Sequence, residues 1–235
     1  MKHIDQYWER SCFTTKVAPE CSFVCGQLAR NMHNPGKEHW DSMERLVGYI
    51  NSKGEHMLVI KRAKEVRVVS FGDSSYGNCK QSRGSSTGDL HTIGGGLVSW
   101  HVQRTKCICL SSTEVEYIEM TELTKEQCFI QMALEEVFGE KNQGIMYEDN
   151  DAAIYLNKNH HVSPRIKHIN IKQHYIREHI NNGHGKVMKI ESGNNFADIL
   201  MKNVCVWLFK KFARSVLGGF DGYGQLFSNF QREND

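Results

Sequence analysis

The sequence predicts an α/β protein in which helices flank a mixed β-sheet and a helical hairpin precedes that sheet. Strand-like runs, rich in β-branched and aromatic residues, follow one another between residues 57 and 111. After residue 112, apolar residues at helical spacing alternate with further strand-like runs. Strands first, then alternating helices and strands, are typical of a mixed sheet with helices packed on its faces.

The hairpin is predicted from two helical segments, 20–32 and 37–51, which Asn34-Pro35-Gly36 separates. The predicted strands are 57–62, 66–73, 89–94, 96–102, 106–111, 145–149 and 186–191. The predicted helices after the hairpin are 113–138, 150–158, 168–181 and 194–217. We therefore divide the chain into a hairpin segment (1–62), a sheet domain (63–217) and a polar, glycine-rich tail (218–235) that we expect to be loose.

Composition limits the function classes. No stretch approaches the roughly 20 apolar residues that a membrane span requires, and the N-terminal residues lack the apolar run of a secretory signal. We expect an intracellular protein that does not enter the membrane. The net charge is only +2, so any nucleic-acid binding must come from a local basic face.

The eight cysteines are too sparse for a disulfide framework and have no paired CxxC spacing for zinc. We expect free thiols that are mostly buried.

Four acids stand where chemistry could be carried out, although each has a structural explanation. Asp73 ends a strand and could cap a turn. Asp149 ends another strand and could be a helix N-cap, while Asp198 lies in the first turn of the last predicted helix, where an acid is favoured anyway. Glu116 shares a helix face with apolar residues, which is costly for a carboxylate without a partner, whereas Glu114 faces elsewhere.

Together, these acids would come from four separate elements and could converge at one edge of the sheet. Carboxylates gathered at one point repel unless cations hold them. Hard oxygen ligands suit Mg²⁺ or Mn²⁺, and two such ions can activate water and stabilise the leaving oxygen in phosphodiester cleavage.

Several segments resemble, in the same order, the conserved blocks of Ty1/copia-type retrotransposon polyproteins. They are LSSTEVEY (110–117), SRGSSTG (82–88), GGGLVSW (94–100), YEDNDAAI (147–154), SPRIKHINIKQHYIRE (163–178) and FADILMK (196–202). Upstream, NPGKEHWDSMERLVGYI (34–50) is similar to the stretch that joins the reverse transcriptase to the ribonuclease H domain.

This resemblance implies a ribonuclease H-like domain with a mixed five-stranded sheet, preceded by a remnant of the reverse transcriptase connection. It implies cleavage of the RNA strand of RNA/DNA hybrids with two Mg²⁺ or Mn²⁺ ions. The family's metal-binding acids fall on Asp73, Glu116, Asp149 and Asp198. The normal partner would be the reverse transcriptase part of the same polyprotein, and because its Tyr-x-Asp-Asp motif does not occur here, we do not expect a complete reverse transcriptase.

The sequence departs from the family pattern at several positions. They are Ser75 and Tyr76, where an Asp-Trp pair is usual, Asp89, where an aromatic strand residue is usual, Glu119 in place of a small residue, Met201 in place of Thr, and Asn203 in place of Pro. Asp89 matters most, because a charge in a core strand needs a partner or an exposed edge. The drift leaves open a folded but inactive remnant that only binds nucleic acid. An integrase or transposase on the same fold is disfavoured by the set of four acids.

A basic stretch lies between the third and fourth acids. It comprises Lys158, His160, His161, Arg165, Lys167, His168, Lys172 and His174. A solvated helix face explains it equally well, but beside a metal site Arg165, Lys167, His168 and Lys172 could hold substrate phosphates. Ser85, Ser86 and Thr87 could contact the backbone or 2′-hydroxyl groups, through which RNA is distinguished from DNA.

Overall fold

The computed structural model describes residues 13–53, 58–60, 66–78, 83–105, 108–139, 141–151, 154 and 170–218. Its α-helices are α1 (Ser22–Ala29), α2 (Lys37–Ser52), α3 (Ser112–Phe138), α4 (Asn170–Asn181), α5 (Asp198–Met201) and α6 (Val206–Gly218). Its strands are β1 (Val68–Ser75), β2 (Ser86–Ile93), β3 (Gly96–Arg104), β4 (Gly144–Glu148) and β5 (Gly185–Lys189). The predicted loose tail lies outside the described residues, apart from Gly218.

The five strands form one mixed sheet in the order β3-β2-β1-β4-β5. Strands β1, β2 and β3 pair antiparallel, whereas β1 pairs parallel with β4, and β4 with β5. Parallel neighbours need a crossover connection, and α3 and α4 lie in the two crossovers. The predicted α/β class, with a mixed five-stranded sheet, flanking helices and a preceding helical hairpin, is confirmed.

Three element predictions are wrong. Residues 58–60 and 108–111 are not strands, although strands were predicted over 57–62 and 106–111. The single predicted helix over 194–217 is divided into α5 and α6 by Lys202, whose backbone is extended (φ −129°, ψ 153°). The break lets the two short helices pack on the core separately.

The main hydrophobic core lies on one face of the sheet and contains an aromatic cluster. Phe71 of β1 stacks on Tyr147 of β4 with ring centroids 5.1 Å apart, and Phe196 meets the edge of Phe71 at 5.4 Å. Phe212 of α6 packs on Phe196 at 5.0 Å. The strand that carries Asp73 is therefore anchored two residues before that acid.

The opposite face of the sheet packs against α3 through unusually polar contacts. Gly72 makes room for the Glu119 side chain, since a Cβ at residue 72 would lie 1.6 Å from Glu119 Oε1. Gly144 does the same for Gln127, whose Nε2 would lie 1.9 Å from a Cβ there. The helix itself begins at an N-cap, Ser111, whose hydroxyl accepts a hydrogen bond from the backbone N–H of Glu114 (3.2 Å).

The N-terminal hairpin has a small core of its own and also contacts the sheet domain. The core is built from Cys21, Cys25, Leu28, Met43 and Leu46. Trp100 of β3 donates a hydrogen bond to the Thr15 carbonyl (2.8 Å), and Arg30 donates to Ser86 Oγ (3.1 Å). Trp40 remains 36% exposed. The domain boundary at residue 62 stays a prediction.

The cysteines that the structure describes form no disulfide bond: Cys21, Cys25 and Cys109 are buried, Cys128 is half-buried and Cys205 is exposed. In the described part of the chain, every helix is too short or too polar to cross a membrane.

A buried histidine in α4 makes stability depend on pH. Burial, with a smaller contribution from His184, lowers the pKa of His179 to about 4. Its Nδ1 lies 3.0 Å from Cys128 Sγ, and its Nε2 has no hydrogen-bond partner among the described residues. In the unfolded chain the pKa is about 6.5. Below pH 6.5 this histidine binds a proton in the unfolded chain, but in the folded protein it stays neutral until about pH 4. The free energy of unfolding therefore decreases as the pH is lowered from 6.5 toward 4.

When the pH is lowered from 6.5 to 4.5, we expect the wild-type protein to lose about 2–3 kcal/mol more of its free energy of unfolding than His179→Gln loses. Urea denaturation at several pH values measures this difference. The control is His174→Gln, because His174 is exposed on the same helix. A pH dependence that is identical in the wild-type protein and His179→Gln would contradict the prediction.

Candidate active site at the edge of the sheet

Two neighbouring parallel strands place two of the predicted acids at one edge of the sheet. Phe71 of β1 is opposite Tyr147 of β4, and Asp73 and Asp149 each follow that pair by two residues. The carboxyl ends of adjacent parallel strands share an edge, so the two acids are neighbours. Asp73 is buried, whereas Asp149 is half-buried.

A buried asparagine fixes the start of α5 against β1. Asn195 Nδ2 donates a hydrogen bond to the Gly72 carbonyl (2.8 Å), and Asn195 Oδ1 accepts one from the backbone N–H of Ala197 (3.2 Å). Asp198, the first residue of α5, is thereby held beside Asp73.

Lys202 joins these two acids. Its Nζ lies 3.2 Å and 3.1 Å from Asp73 Oδ1 and Oδ2, and 2.9 Å from Asp198 Oδ1. Lys202 is the C-cap of α5, four residues after Asp198, and its side chain donates a hydrogen bond to that acid. Its ammonium group therefore acts as a cation between two carboxylates.

Glu116 reaches the same edge from α3. Hydrogen bonds from the side chains of Ser74 and Asn150 stabilise its charged form, but burial outweighs them and raises the pKa of Glu116. Its Oε2 is buried and has no hydrogen-bond donor among the described residues. The neighbouring Glu114 points elsewhere, since its Oε2 accepts a hydrogen bond from the backbone N–H of Leu110 (2.6 Å).

Electrostatic interactions connect Asp149 with each of the other three acids, and Asp73 with Asp198. Burial raises the pKa of Asp73 to about 8, against the effect of Lys202 and with the help of Asp198 and Asp149. Burial also raises the pKa of Asp198 and of Glu116, and the charge of Asp149 adds to both effects. Asp149 is thus near each of the other three acids.

Two further buried acids, which the sequence analysis did not assign to the site, lie behind Glu116. Acceptor oxygens of Glu116, Glu119 and Glu148 lie within 4.8 Å of one another. Burial, followed by repulsion from Glu148 and Glu116, raises the pKa of Glu119 well above the usual range. Burial, followed by repulsion from Glu116, raises the pKa of Glu148 in the same way. Neither oxygen of Glu119 has a hydrogen-bond partner among the described residues. The spacing of three residues between Glu116 and Glu119 was the available signal.

We expect Glu119→Gln to raise the free energy of unfolding at pH 8 by about 1–3 kcal/mol, because a neutral side chain of the same size replaces a buried, unpartnered acid. Chemical denaturation with a chelator present measures the change. The control is Glu136→Gln, which alters an exposed acid of the same helix. A loss of stability in Glu119→Gln would mean that the carboxylate has a stabilising partner.

The residues predicted to contact nucleic acid are only partly described. Ser85, Ser86 and Thr87 are buried, with exposures of 3%, 2% and 1%. Ser85 Oγ accepts a hydrogen bond from the backbone N–H of Gly77 (3.0 Å), and Ser86 Oγ donates one to Asn78 Oδ1 (3.1 Å). Their contact with substrate stays a prediction, and it would require Ser85 and Ser86 to exchange internal partners.

In the basic stretch, Lys172 is half-buried and His174 is exposed on α4. The other predicted phosphate contacts, Arg165, Lys167 and His168, lie outside the described residues, as do Lys158, His160 and His161.

Asp89, an acid in a core strand, is paired with two histidines, His91 and His101. Hydrogen bonds from His101 and His91 outweigh the effect of burial and hold the pKa of Asp89 below its usual range. The strand accommodates this departure from the family pattern without exposing the acid, which is 3% exposed.

The oxygen ligands at this edge fit Mg²⁺ or Mn²⁺, which prefer carboxylate oxygens. The buried Oε2 of Glu116 lacks a donor among the described residues, and a cation would satisfy it. Lys202 already balances part of the charge of Asp73 and Asp198, so a metal ion would compete with its ammonium group there.

Comparison with curated proteins finds retrotransposon polyproteins. The chain is 34% identical over 186 residues to the retrovirus-related Pol polyprotein from transposon TNT 1-94 of Nicotiana tabacum, a match covering 79% of this chain and 14% of that protein. It is 26% identical over 199 residues to the Pol polyprotein from transposon RE2 of Arabidopsis thaliana, covering 84% and 14%. The chain thus spans about one seventh of these relatives. No protein-family model matches it.

Comparison with solved structures finds ribonuclease H domains at low similarity. The N-terminal RNase H domain of a Mycobacterium tuberculosis protein matches with a TM-score of 0.43 and 10% identity, covering 64% of this chain and 99% of that one. LC11-RNase H1 in complex with an RNA/DNA hybrid matches with a TM-score of 0.42 and 13% identity, covering 57% and 93%. These TM-scores are below 0.5, so the overlap is partial.

Proposed function

Because the chain belongs to the family of copia-type retrotransposon Pol polyproteins, we propose that its sheet domain is an endoribonuclease that cleaves the RNA strand of RNA/DNA hybrids. The supporting observation is the convergence of Asp73, Glu116, Asp149 and Asp198 at one sheet edge, where the charge of Asp149 acts on the other three. Four carboxylates gathered from four elements suit a cation site better than capping roles.

The four carboxylates would hold two divalent ions, Mg²⁺ or Mn²⁺. Such ions would supply an activated water and stabilise the leaving oxygen of the phosphodiester. The protein's part is to position the ligands. Ser74 and Asn150 orient Glu116, and Asn195 fixes α5, and with it Asp198, against β1.

Lys202 has two roles in this proposal. Its ammonium group keeps Asp73 and Asp198 together while the site holds no divalent ion. When ions bind, the Lys202 ammonium group would turn toward solvent and a phosphate of the substrate, since its side chain is 43% exposed. Phosphate contacts of this kind weaken as salt increases.

The hybrid is the proposed partner, and Lys172, together with Arg165, Lys167 and His168 of the same basic stretch, is proposed to hold its backbone. The second proposed partner is the reverse transcriptase part of the polyprotein. The hairpin segment, 1–62, would connect the two, since Trp40 leaves part of its surface exposed.

The test is cleavage of a hybrid whose RNA strand carries a label, by the purified chain with Mg²⁺, with Mn²⁺ and with chelator. We expect RNA fragments with either ion and none with chelator. The same RNA as a single strand and the same sequence as duplex DNA are the substrate controls. Equal cleavage of single-stranded RNA would indicate a contaminating or less specific nuclease and would contradict the proposal.

A second candidate is a folded remnant that only binds nucleic acid. The observation that favours it is Glu119, which stands where the family has a small residue and adds an unpartnered buried carboxylate beside Glu116. Hybrid binding without cleavage, with both Mg²⁺ and Mn²⁺, would establish the remnant and remove the enzyme assignment.

A further inference from the structure

A second group of potential metal ligands lies on the face of the sheet that packs against α3. Asp89 of β2 is paired with His101 of β3 in the sheet register, and His91 follows Asp89 by two residues on the same face. Asp89 Oδ1 lies 3.1 Å from His91 Nε2 and 2.9 Å from His101 Nδ1. The ligand atoms of the three residues all lie within 4.8 Å of one another.

A hydrogen bond between Ser70 and His91 fixes the orientation of the His91 ring. Ser70 Oγ lies 2.8 Å from His91 Nδ1, so the other ring nitrogen faces Asp89. Metal-binding histidines usually have such a partner on the second nitrogen, which sets the tautomer and the ring orientation. Ser70 and His91 are both fully buried, so this arrangement is part of the core.

The third potential ligand, His101, is exposed to solvent, so the group can be reached from the surface. The His101 side chain is 49% exposed, whereas the Asp89 side chain is 4% exposed. An ion could therefore reach the group along the surface of β3 without an opening of the sheet, and a water molecule could take a remaining position on the ion.

We propose that Asp89, His91 and His101 form a binding site for one divalent transition-metal ion, of which zinc is the best fit. Two imidazole nitrogens and one carboxylate oxygen are ligands that zinc accepts at about 2.0–2.2 Å. Imidazole suits zinc, cobalt and nickel, whereas Mg²⁺ prefers oxygen. The site is thus chemically different from the group of carboxylates at the edge of the sheet and can be occupied together with it.

Binding there would crosslink β2 to β3. It would also give Asp89 a cation in place of its two hydrogen bonds from histidine. A ligand that binds only the folded state stabilises it in proportion to the logarithm of its concentration over its Kd.

The test uses the whole chain and Co²⁺, whose visible absorption reports nitrogen ligation and low coordination number. The titration is done with excess Mg²⁺, so that carboxylate sites are occupied. We expect one equivalent of Co²⁺ to bind with intense visible bands, Zn²⁺ to displace it, and Zn²⁺ to raise the melting temperature. Asp149→Asn should bind Co²⁺ as the wild-type protein does.

The matched pair of variants is His101→Ala and His174→Ala, since both histidines are at the surface and neither substitution empties the core. His101→Ala should lose the Co²⁺ bands and the stabilisation by Zn²⁺, while His174→Ala should keep both. If the wild-type protein gives no bands, the three residues form a hydrogen-bonded network only. If His101→Ala binds as the wild-type protein does, the ion lies elsewhere, and either result overturns the proposal.

Discussion

Asp149→Asn is expected to reduce hybrid cleavage by about three orders of magnitude, which corresponds to about 4 kcal/mol of transition-state stabilisation. Asparagine keeps the size of the side chain and one carbonyl oxygen but removes the negative charge. Asp149 is near Asp73, Glu116 and Asp198, so its charge is well placed to help hold two cations together. Initial rates on labelled hybrid at saturating Mg²⁺ measure the effect.

The matched control is Asp151→Asn, because Asp151 is two residues further on and its side chain is 87% exposed. It should cleave at nearly the wild-type rate. We expect the fold of Asp149→Asn to be unchanged by circular dichroism and its affinity for hybrid to be equal or higher, since a negative group facing phosphates has gone. Wild-type cleavage by Asp149→Asn would remove this acid from the site.

Phe71→Ala is expected to lower the free energy of unfolding by about 3–5 kcal/mol. Phe71 is 1% exposed and contacts the rings of Tyr147 and Phe196. Removal of its ring leaves a cavity between the central strands and the segment that leads to α5. Urea denaturation measures the loss, which is a large part of the usual stability of a domain.

Phe129→Ala is the control for that experiment, because Phe129 is 67% exposed on α3. It should change stability by less than about 0.5 kcal/mol. We also expect Phe71→Ala to impair cleavage at temperatures where it is still folded, since Phe71 anchors the strand of Asp73. Equal stability of the two variants would show that the aromatic cluster is not the centre of the core.

Local patterns in the sequence were sufficient for the elements with strong periodicity. The predicted helix 113–138 is found as Ser112–Phe138, and the predicted hairpin helix 37–51 as Lys37–Ser52. Helical geometry also predicted that Glu114 and Glu116 face different directions, and in the structure Glu114 bonds to the Leu110 backbone whereas Glu116 contacts Ser74 and Asn150.

The pattern failed where contacts distant in sequence decide the backbone. Apolar spacing from residue 194 to 217 predicted one helix, but Lys202 has an extended backbone and ends α5. Its side chain pairs with Asp73, which lies 129 residues earlier. Neither local propensity nor spacing contains that ion pair.

The sequence by itself determined the α/β class, the elements with strong periodicity, and which four acids stand at element ends or on a core-facing helix. These are local properties, fixed by residue type and period. Only the tertiary structure decided the partners of Asp89, the burial of Ser85, Ser86 and Thr87, and the position of Glu119 over Gly72. Those properties depend on strand register and on how α3 lies on the sheet. They arise because folding buries residues that are distant in sequence next to one another, away from water.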